Sequence, residues 1–277
     1  MNKPAGKSDP IFKAARKQVS KVLAPLTPGE APDAEAIHAI RVCSKKLRAL
    51  LQLYRPGNAK ADIKQVEQLL KQLANSYAGL RDAHVQEKTL GRLVSNLPAD
   101  DQAPMQPLFD YFAQANHQAN EQINPIDAHT GFAEVLEQWA ELLRLQHRSD
   151  PAKGLDYSYR RARKLALEAH QTGEDDTYHQ CRKWTKYYLY QAQLLCDRKA
   201  AKASIKALKQ LGELLGQFQD HCVLEDSLLN GTLAACELEA ASQQALQAIE
   251  QQKSHDKEKA RQLFEQLYQQ PHVPLKC

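Results

Sequence analysis

The sequence is short of the residues that interrupt helices and of those that build other architectures. Glycine accounts for 11 of 277 residues, aromatics for 6%, and methionine and tryptophan for two residues each. Strand-type alternation of apolar and polar residues is hard to find, which argues against sheet architectures. No apolar run approaches the ~20 residues of a membrane-spanning helix. Met1 to Pro10 is polar and lacks the apolar stretch of a secretory signal, so a cytoplasmic location and no membrane partner are expected. There is no G-x-x-x-x-G-K-[ST] phosphate loop and no G-x-S-x-G nucleophile elbow. No two cysteines form a C-x-x-C pair. Cys43, Cys181, Cys196, Cys222, Cys236 and Cys277 are scattered, most within apolar helical patterns. They read as reduced, small core residues rather than metal ligands, and no cofactor is implied.

What is present is a series of long Leu/Ala/Gln/Glu/Lys segments, which favours an all-α fold. Proline and glycine punctuate it at Pro25–Pro32, Pro56-Gly57, Pro98–Pro107, Asn124-Pro125, Gly131, Pro151, Gly173 and Gly231. The pattern predicts helices at about 9–24, 33–55, 59–96, 103–123, 131–147, 153–172, 175–197, 199–230 and 232–269. Breaks are expected near Gly79 and Gly216, and residues 1–8 are expected to be disordered.

The formal net charge of +4 conceals an alternation. It is +8 over residues 1–72, −6 over 73–152, +7 over 153–209 and −5 over 210–277. A duplicated unit would produce this order. The residues agree: His38-x-x-Arg41-x-x-x-Lys45 is repeated as His179-x-x-Arg182-x-x-x-Lys186. Further on, Lys60, Lys64, Lys71 and Asp82 match Arg198, Lys202, Lys209 and Asp220. The expected organisation is one domain over 9–269, with unit one at 9–125, a connecting helix at 131–147 and unit two at 153–269.

At about 100° per residue, His38, Arg41, Lys45 and Arg48 fall on one helix face, and Ile40, Leu47, Leu51 and Tyr54 on roughly the other. His179, Arg182 and Lys186 repeat the stripe, with Cys181, Tyr188, Ala192 and Leu195 as the apolar side. Lys71 and Lys209, on the next helix of each unit, can face the same groove. Like charges at these spacings repel, and no arginine or lysine of either stripe has an acid at i±4 to relieve it. The neutralising anion is therefore expected from outside. The first stripe runs roughly 15 Å by helical rise, too long for a single carboxylate or phosphate. It suits a linear polyanion, for which polyphosphate, nucleic acid and phosphorylated small molecules are the candidates. Nucleic acid is the less favoured partner, because base reading uses aromatic platforms and none interleaves with the first stripe. A further cluster, Arg160, Arg161, Arg163 and Lys164, opens unit two. Its counterparts are Lys13, Arg16 and Lys17, and each cluster reads as another wall of its site.

At these residues the chain resembles the CHAD family of histidine-containing α-helical domains, whose halves carry a helix of the type H-x-x-R-x-x-x-[KR]-x-L-R. The stretches that carry the resemblance are His38 to Arg41 with Lys45, Lys46, Leu47 and Arg48, and His179, Arg182, Lys183 and Lys186. Leu80-Arg81-Asp82 and Leu215-Gly216 with Asp220 resemble the family's Leu-Gly-x-x-x-Asp segment. The resemblance covers about residues 9–269. It implies two four-helix-bundle-like halves related by a pseudo-two-fold, with the basic stripes lining a central groove or pore. It also implies binding of inorganic polyphosphate, often at polyphosphate granules, by His38, Arg41, Lys45, Arg48, Lys71, His179, Arg182, Lys183, Lys186 and Lys209, flanked by Lys13, Arg16, Arg160 and Arg163. One departure stands out: the counterpart of Arg48 is Leu189, which shortens the second stripe.

Enzyme readings have less behind them. Glu237-Leu238-Glu239 lacks the lysine of a triphosphate-tunnel strand. His255-Asp256 could belong to a metal-dependent phosphohydrolase, but it lies in the charged run Lys253–Arg261, which reads as a solvated helix. Asp82 and Asp220 are expected to fix a stripe cation or cap a helix rather than to bind metal. A non-enzymatic binder is expected.

Overall fold

The computed structural model describes residues 9–56, 60–77, 79–121, 126–145, 150–197, 199–230 and 236–275. Among the described residues every regular element is helical: α1 (Pro10–Leu23), α2 (Ala34–Leu51), α3 (Lys60–Ser76), α4 (Gly79–Ser95), the short α5 (Ala99–Gln102), α6 (Gln106–Glu121), α7 (Ala128–Leu145), α8 (Pro151–Thr172), α9 (Asp175–Leu195), α10 (Lys202–Asn230) and α11 (Cys236–Leu267). None is long and apolar enough to cross a membrane. Of the features named from the sequence, residues 1–8, Arg198 and Cys277 lie outside the described set, as do the side chains of Lys60, Leu80, Arg81, Asp82, Cys236 and Glu237.

The helix starts are set by acidic caps. Asp33 and Asp150 cap α2 and α8. Asp9 Oδ1 accepts the Ile11 and Phe12 amides at 2.9 Å each and also the Tyr54 hydroxyl at 2.6 Å. One carboxylate therefore both caps α1 and ties it to the 3₁₀ turn (Gln52–Tyr54) that follows α2. The same turn receives α8. A Cβ on Gly154 would lie 2.3 Å from the Leu53 carbonyl oxygen, so only glycine lets the first turn of α8 approach this closely.

The apolar faces read from the helical period are the buried ones. Ile40, Leu47, Leu51 and Tyr54 are buried, as are Cys181, Tyr188 and Ala192, while Leu195 is half-buried. They join a core that runs through α1–α3 and α7–α11, with Trp139 against Phe12 and Tyr54, and Tyr159 against Tyr188 and Tyr268. A second, smaller core gathers Leu90, Met105 and Phe112 from α4 to α6 with Leu224, Ala245 and Ile249 of the distal parts of α10 and α11. Helix α7, expected to connect two units, is itself a core helix: Phe132, Val135 and Trp139 are fully buried.

Four expectations are corrected. The chain does break at Gly79, but α10 continues straight through Gly216. Glycine in a helix costs about 1 kcal/mol, which packing easily offsets. Asp256 is not solvated but 2% exposed, because α11 lies against α10 there and its carboxylate faces His221 at 3.4 Å. Cys196 is disulfide-bonded. Cys43 and Cys181 are free and buried as expected, but Cys196 removes the cysteine argument for a reducing compartment. The basic walls expected at Arg160 and Arg163 are spoken for: Arg160 pairs with Asp156 at 2.8 Å, and Arg163 Nε donates to the Tyr268 carbonyl at 2.9 Å, tying α8 to the end of α11.

Candidate functional site

Two antiparallel helix pairs carry the stripes. In the first, α2 packs on α3. Arg41 Nη1 donates to the Ala74 carbonyl at 2.8 Å, and Arg48 Nη2 reaches Glu67 Oε1 at 3.2 Å. The arginines are seven positions apart, as are Ala74 and Glu67, so both contacts belong to one register. In the second pair, α9 packs on α10. His179 Nδ1 meets the Gln219 carboxamide oxygen. Arg182 lies over Gly216, where an added Cβ would stand 3.6 Å from its Nε. Lys186 lies over Gly212, where a Cβ would stand 2.9 Å from its Cε and 3.1 Å from its Nζ. These contacts again share one register, and the two glycines, one turn apart, form the seam on which the cations rest.

The pairs meet because α2 and α9 pack side by side. Gln191 Nε2 donates to the Ala49 carbonyl at 2.6 Å. The Lys46 ammonium stands 5.9 Å from the centre of the Tyr190 ring. The Tyr187 hydroxyl lies 3.5 Å from the same Glu67 oxygen that Arg48 engages. Lys183 therefore looks across at the first pair. Burial holds its ammonium below its usual range; Glu67 opposes that shift, while Arg48, Arg55 and Lys71 reinforce it. Lys186 is likewise lowered, by burial and then by Arg182, with Glu213 pulling the other way. Cations from both sequence halves are thus crowded and half-buried. An external anion would relieve both the desolvation and the mutual repulsion.

Arg48, Lys71 and Lys183 come together here, and Arg182 and Lys186 lie alongside on α9. Arg41 and Lys45 are half-buried on α2, and His38 is exposed one turn before Arg41. Lys209 is exposed and lines a separate pocket at the far end of α9. Lys13 and Arg16 are exposed on α1, away from these contacts. Two participants, Arg55 and Glu67, are not apparent in the sequence pattern, and aromatic rings back three of the cations. Arg55 lies 5.7 Å from the Tyr157 ring centre and Arg161 5.7 Å from that of Trp184. Lys183 covers Tyr187 at 5.8 Å. Glu67 is the carboxylate among them. The one signal that could have found the α10 seam is Gly212 with Gly216, four residues apart in a chain poor in glycine.

At the N-terminal end of α9 a second charged network binds helices together. Asp175 pairs with Lys253 and, at 2.8 Å, with Lys257; Glu225 takes Lys253 at 2.6 Å. Burial would raise the Asp175 carboxyl, but the hydrogen bonds from Lys253 and Lys257 outweigh it and hold it below the usual carboxylate range. These charges are paired with one another and tie α9, α10 and α11 together.

A family model described as the CHAD domain matches residues 13–229. Among solved structures, the crystal structure of the CHAD domain from the plant Ricinus communis is similar over 98% of this chain and 94% of its own, with a TM-score of 0.63 and 19% identity. PptA from Streptomyces chartreusis is similar over 97% of this chain and 100% of its own, with a TM-score of 0.59 and 16% identity. No curated protein sequence matches the chain.

Proposed function

This chain belongs to the CHAD domain family, and on that premise we propose that it binds inorganic polyphosphate, without turning it over, along a groove of cations between α2–α3 and α9–α10. The observation that carries the reading is the meeting of the two stripes at Lys183, where Arg48 and Lys71 from one half face a half-buried lysine from the other. A phosphate chain offers closely spaced charge to such a row. Arginine can engage it bidentately, and lysine can follow it as a mobile point charge. The rings beside the row also favour phosphate over bases. Trp184 and Tyr187 are 6% and 4% exposed and already face Arg161 and Lys183, so they offer no free stacking platform. Association with polyphosphate granules and a non-membrane location fit this reading.

Calorimetric titration with long-chain polyphosphate over a salt series tests it. Affinity should fall steeply with salt, by a slope that grows with the number of phosphates neutralised. Duplex DNA or RNA at equal phosphate concentration should fail to displace the polyphosphate. Displacement would transfer the site to nucleic acid. Release of phosphate from polyphosphate on adding Mg²⁺ or Mn²⁺ would make the protein a phosphohydrolase instead.

A further inference from the structure

Beyond Lys186, the exposed face of α9 continues through Tyr190 into a pocket of about 750 Å³ between α1, α2, α9 and α10. That volume lies within the ~300–1,000 Å³ of typical small-molecule sites. Five lysines line it: Lys17 from α1, Lys46 from α2, and Lys202, Lys206 and Lys209 from α10. The last three recur at i, i+4 and i+7 and so share one helix face. The lining contains no aspartate or glutamate. Among the described residues none of the five lysines has an ion-pair partner, whereas Lys253 and Lys257 on α11 are both paired.

The lining differs from that of the groove in a second way. Leu50, Leu194 and Ile205 contribute apolar surface, and Leu194 is 41% exposed there. An inorganic phosphate chain gains nothing from apolar surface. An occupant that uses the whole lining carries both clustered negative charge and an apolar body. The Tyr190 ring, with the Lys46 ammonium 5.9 Å from its centre, lines the same pocket.

We propose that this lysine-rimmed pocket is a second anion site, one that takes an organic polyphosphate such as a nucleoside triphosphate, with its phosphates on Lys17, Lys202, Lys206 and Lys209 and its base on Leu50, Leu194 and Ile205. The site neighbours the groove. Tyr190 of the pocket stands one helical turn beyond Lys186 of the groove on α9, so charge at one site is felt at the other. A bound triphosphate therefore repels a polyphosphate chain in the groove, and the two ligands weaken each other.

Titration of the full chain with ATP and with inorganic triphosphate at low salt tests the assignment. ATP should bind about tenfold more tightly than inorganic triphosphate, because only ATP uses the apolar floor. Lys202→Gln combined with Lys206→Gln should weaken both ligands about tenfold while long-chain polyphosphate still binds. Leu194→Asn should bring ATP down to the level of inorganic triphosphate. All three positions are exposed, so these variants keep the fold, which circular dichroism checks. Equal affinity for ATP and inorganic triphosphate would overturn the proposal. So would an ATP affinity that follows Arg182→Ala and ignores the lysine pair, since the pocket would then be only the end of the groove. Loss of polyphosphate binding in Arg182→Ala speaks to the groove alone and leaves the pocket assignment standing.

Discussion

The α2–α3 and α9–α10 pairs present the same kind of stripe in the same kind of register, yet they handle its charge differently. In the first pair Arg48 meets Glu67, and Arg41 is spent partly on the Ala74 carbonyl. In the second, His179 meets Gln219 and Lys186 lies over Gly212, and Leu189, which stands where the first stripe has Arg48, is buried. Where the first pair closes on an internal ion pair, the second has a buried apolar residue. The lesson is that equal sequence motifs do not give equal sites. The residue opposite, one helix away, decides whether a cation is available to a ligand.

The largest test of this contrast is a pair of alanine substitutions. Arg182→Ala should weaken polyphosphate binding by about 1–3 kcal/mol, the range for a lost charge-assisted contact. Arg41→Ala should weaken it less, since Lys45 and Arg48 remain beside it, but should lower the melting temperature more, since it removes the Arg41–Ala74 hydrogen bond. Equal binding losses would erase the asymmetry. Next is Glu67→Gln. Removing the carboxylate frees Arg48 and Lys183 for the ligand, and affinity should rise by about 1 kcal/mol with a steeper salt slope. A weaker complex would mean that Glu67 organises the site rather than competing for it.

Alkaline titration separates the shifted lysines of the second pair from the arginines of the first. Arg41 and Arg48 stay charged at any accessible pH. Lys183 and Lys186, both lowered from 10.5, lose their protons earlier than ordinary lysines. Affinity should therefore begin to fall below pH 10.5, and Lys183→Arg with Lys186→Arg should move that loss upward. The same shifts bear on folding with the opposite sign. The folded state holds these protons less tightly than the unfolded chain, so the cost of these lysines is present below their folded pKa and is relieved as pH rises past 10.5. Asp175, lowered by Lys253 and Lys257, contributes stability above pH 3.8 that is lost as pH falls through its folded pKa, which acid melts followed at α9–α11 should show.

The smallest effects belong to the glycine seam. Gly212→Ala should gain up to about 1 kcal/mol of helix propensity while pushing Lys186 aside and weakening binding a few-fold. Gly216→Ala, where the Cβ would stand 3.6 Å from Arg182, should gain the same propensity without loss of affinity. Thermal melts and titrations of the two variants together measure the difference.

By itself the sequence determined the helical class, most helix positions, the buried faces of α2 and α9, and which faces carry the cations. These are local properties: periodicity of 3.6, proline and glycine punctuation, and repulsion between neighbours on one helix are all written within about ten residues. The tertiary structure alone decided that Glu67 stands against Arg48, that Lys183 faces Lys71 across two units, and that α7 belongs to the core. It also placed Arg163 at the end of α11, buried Asp256 and bonded Cys196. Contacts such as Arg48–Glu67 and Arg163–Tyr268 depend on what a helix meets 19 and 105 positions away, and no periodicity within a helix specifies that partner. Gly216 marks the boundary between the two kinds of information. In the sequence it reads as a place to break, and only the arrival of Arg182 against it shows that it is a place to pack.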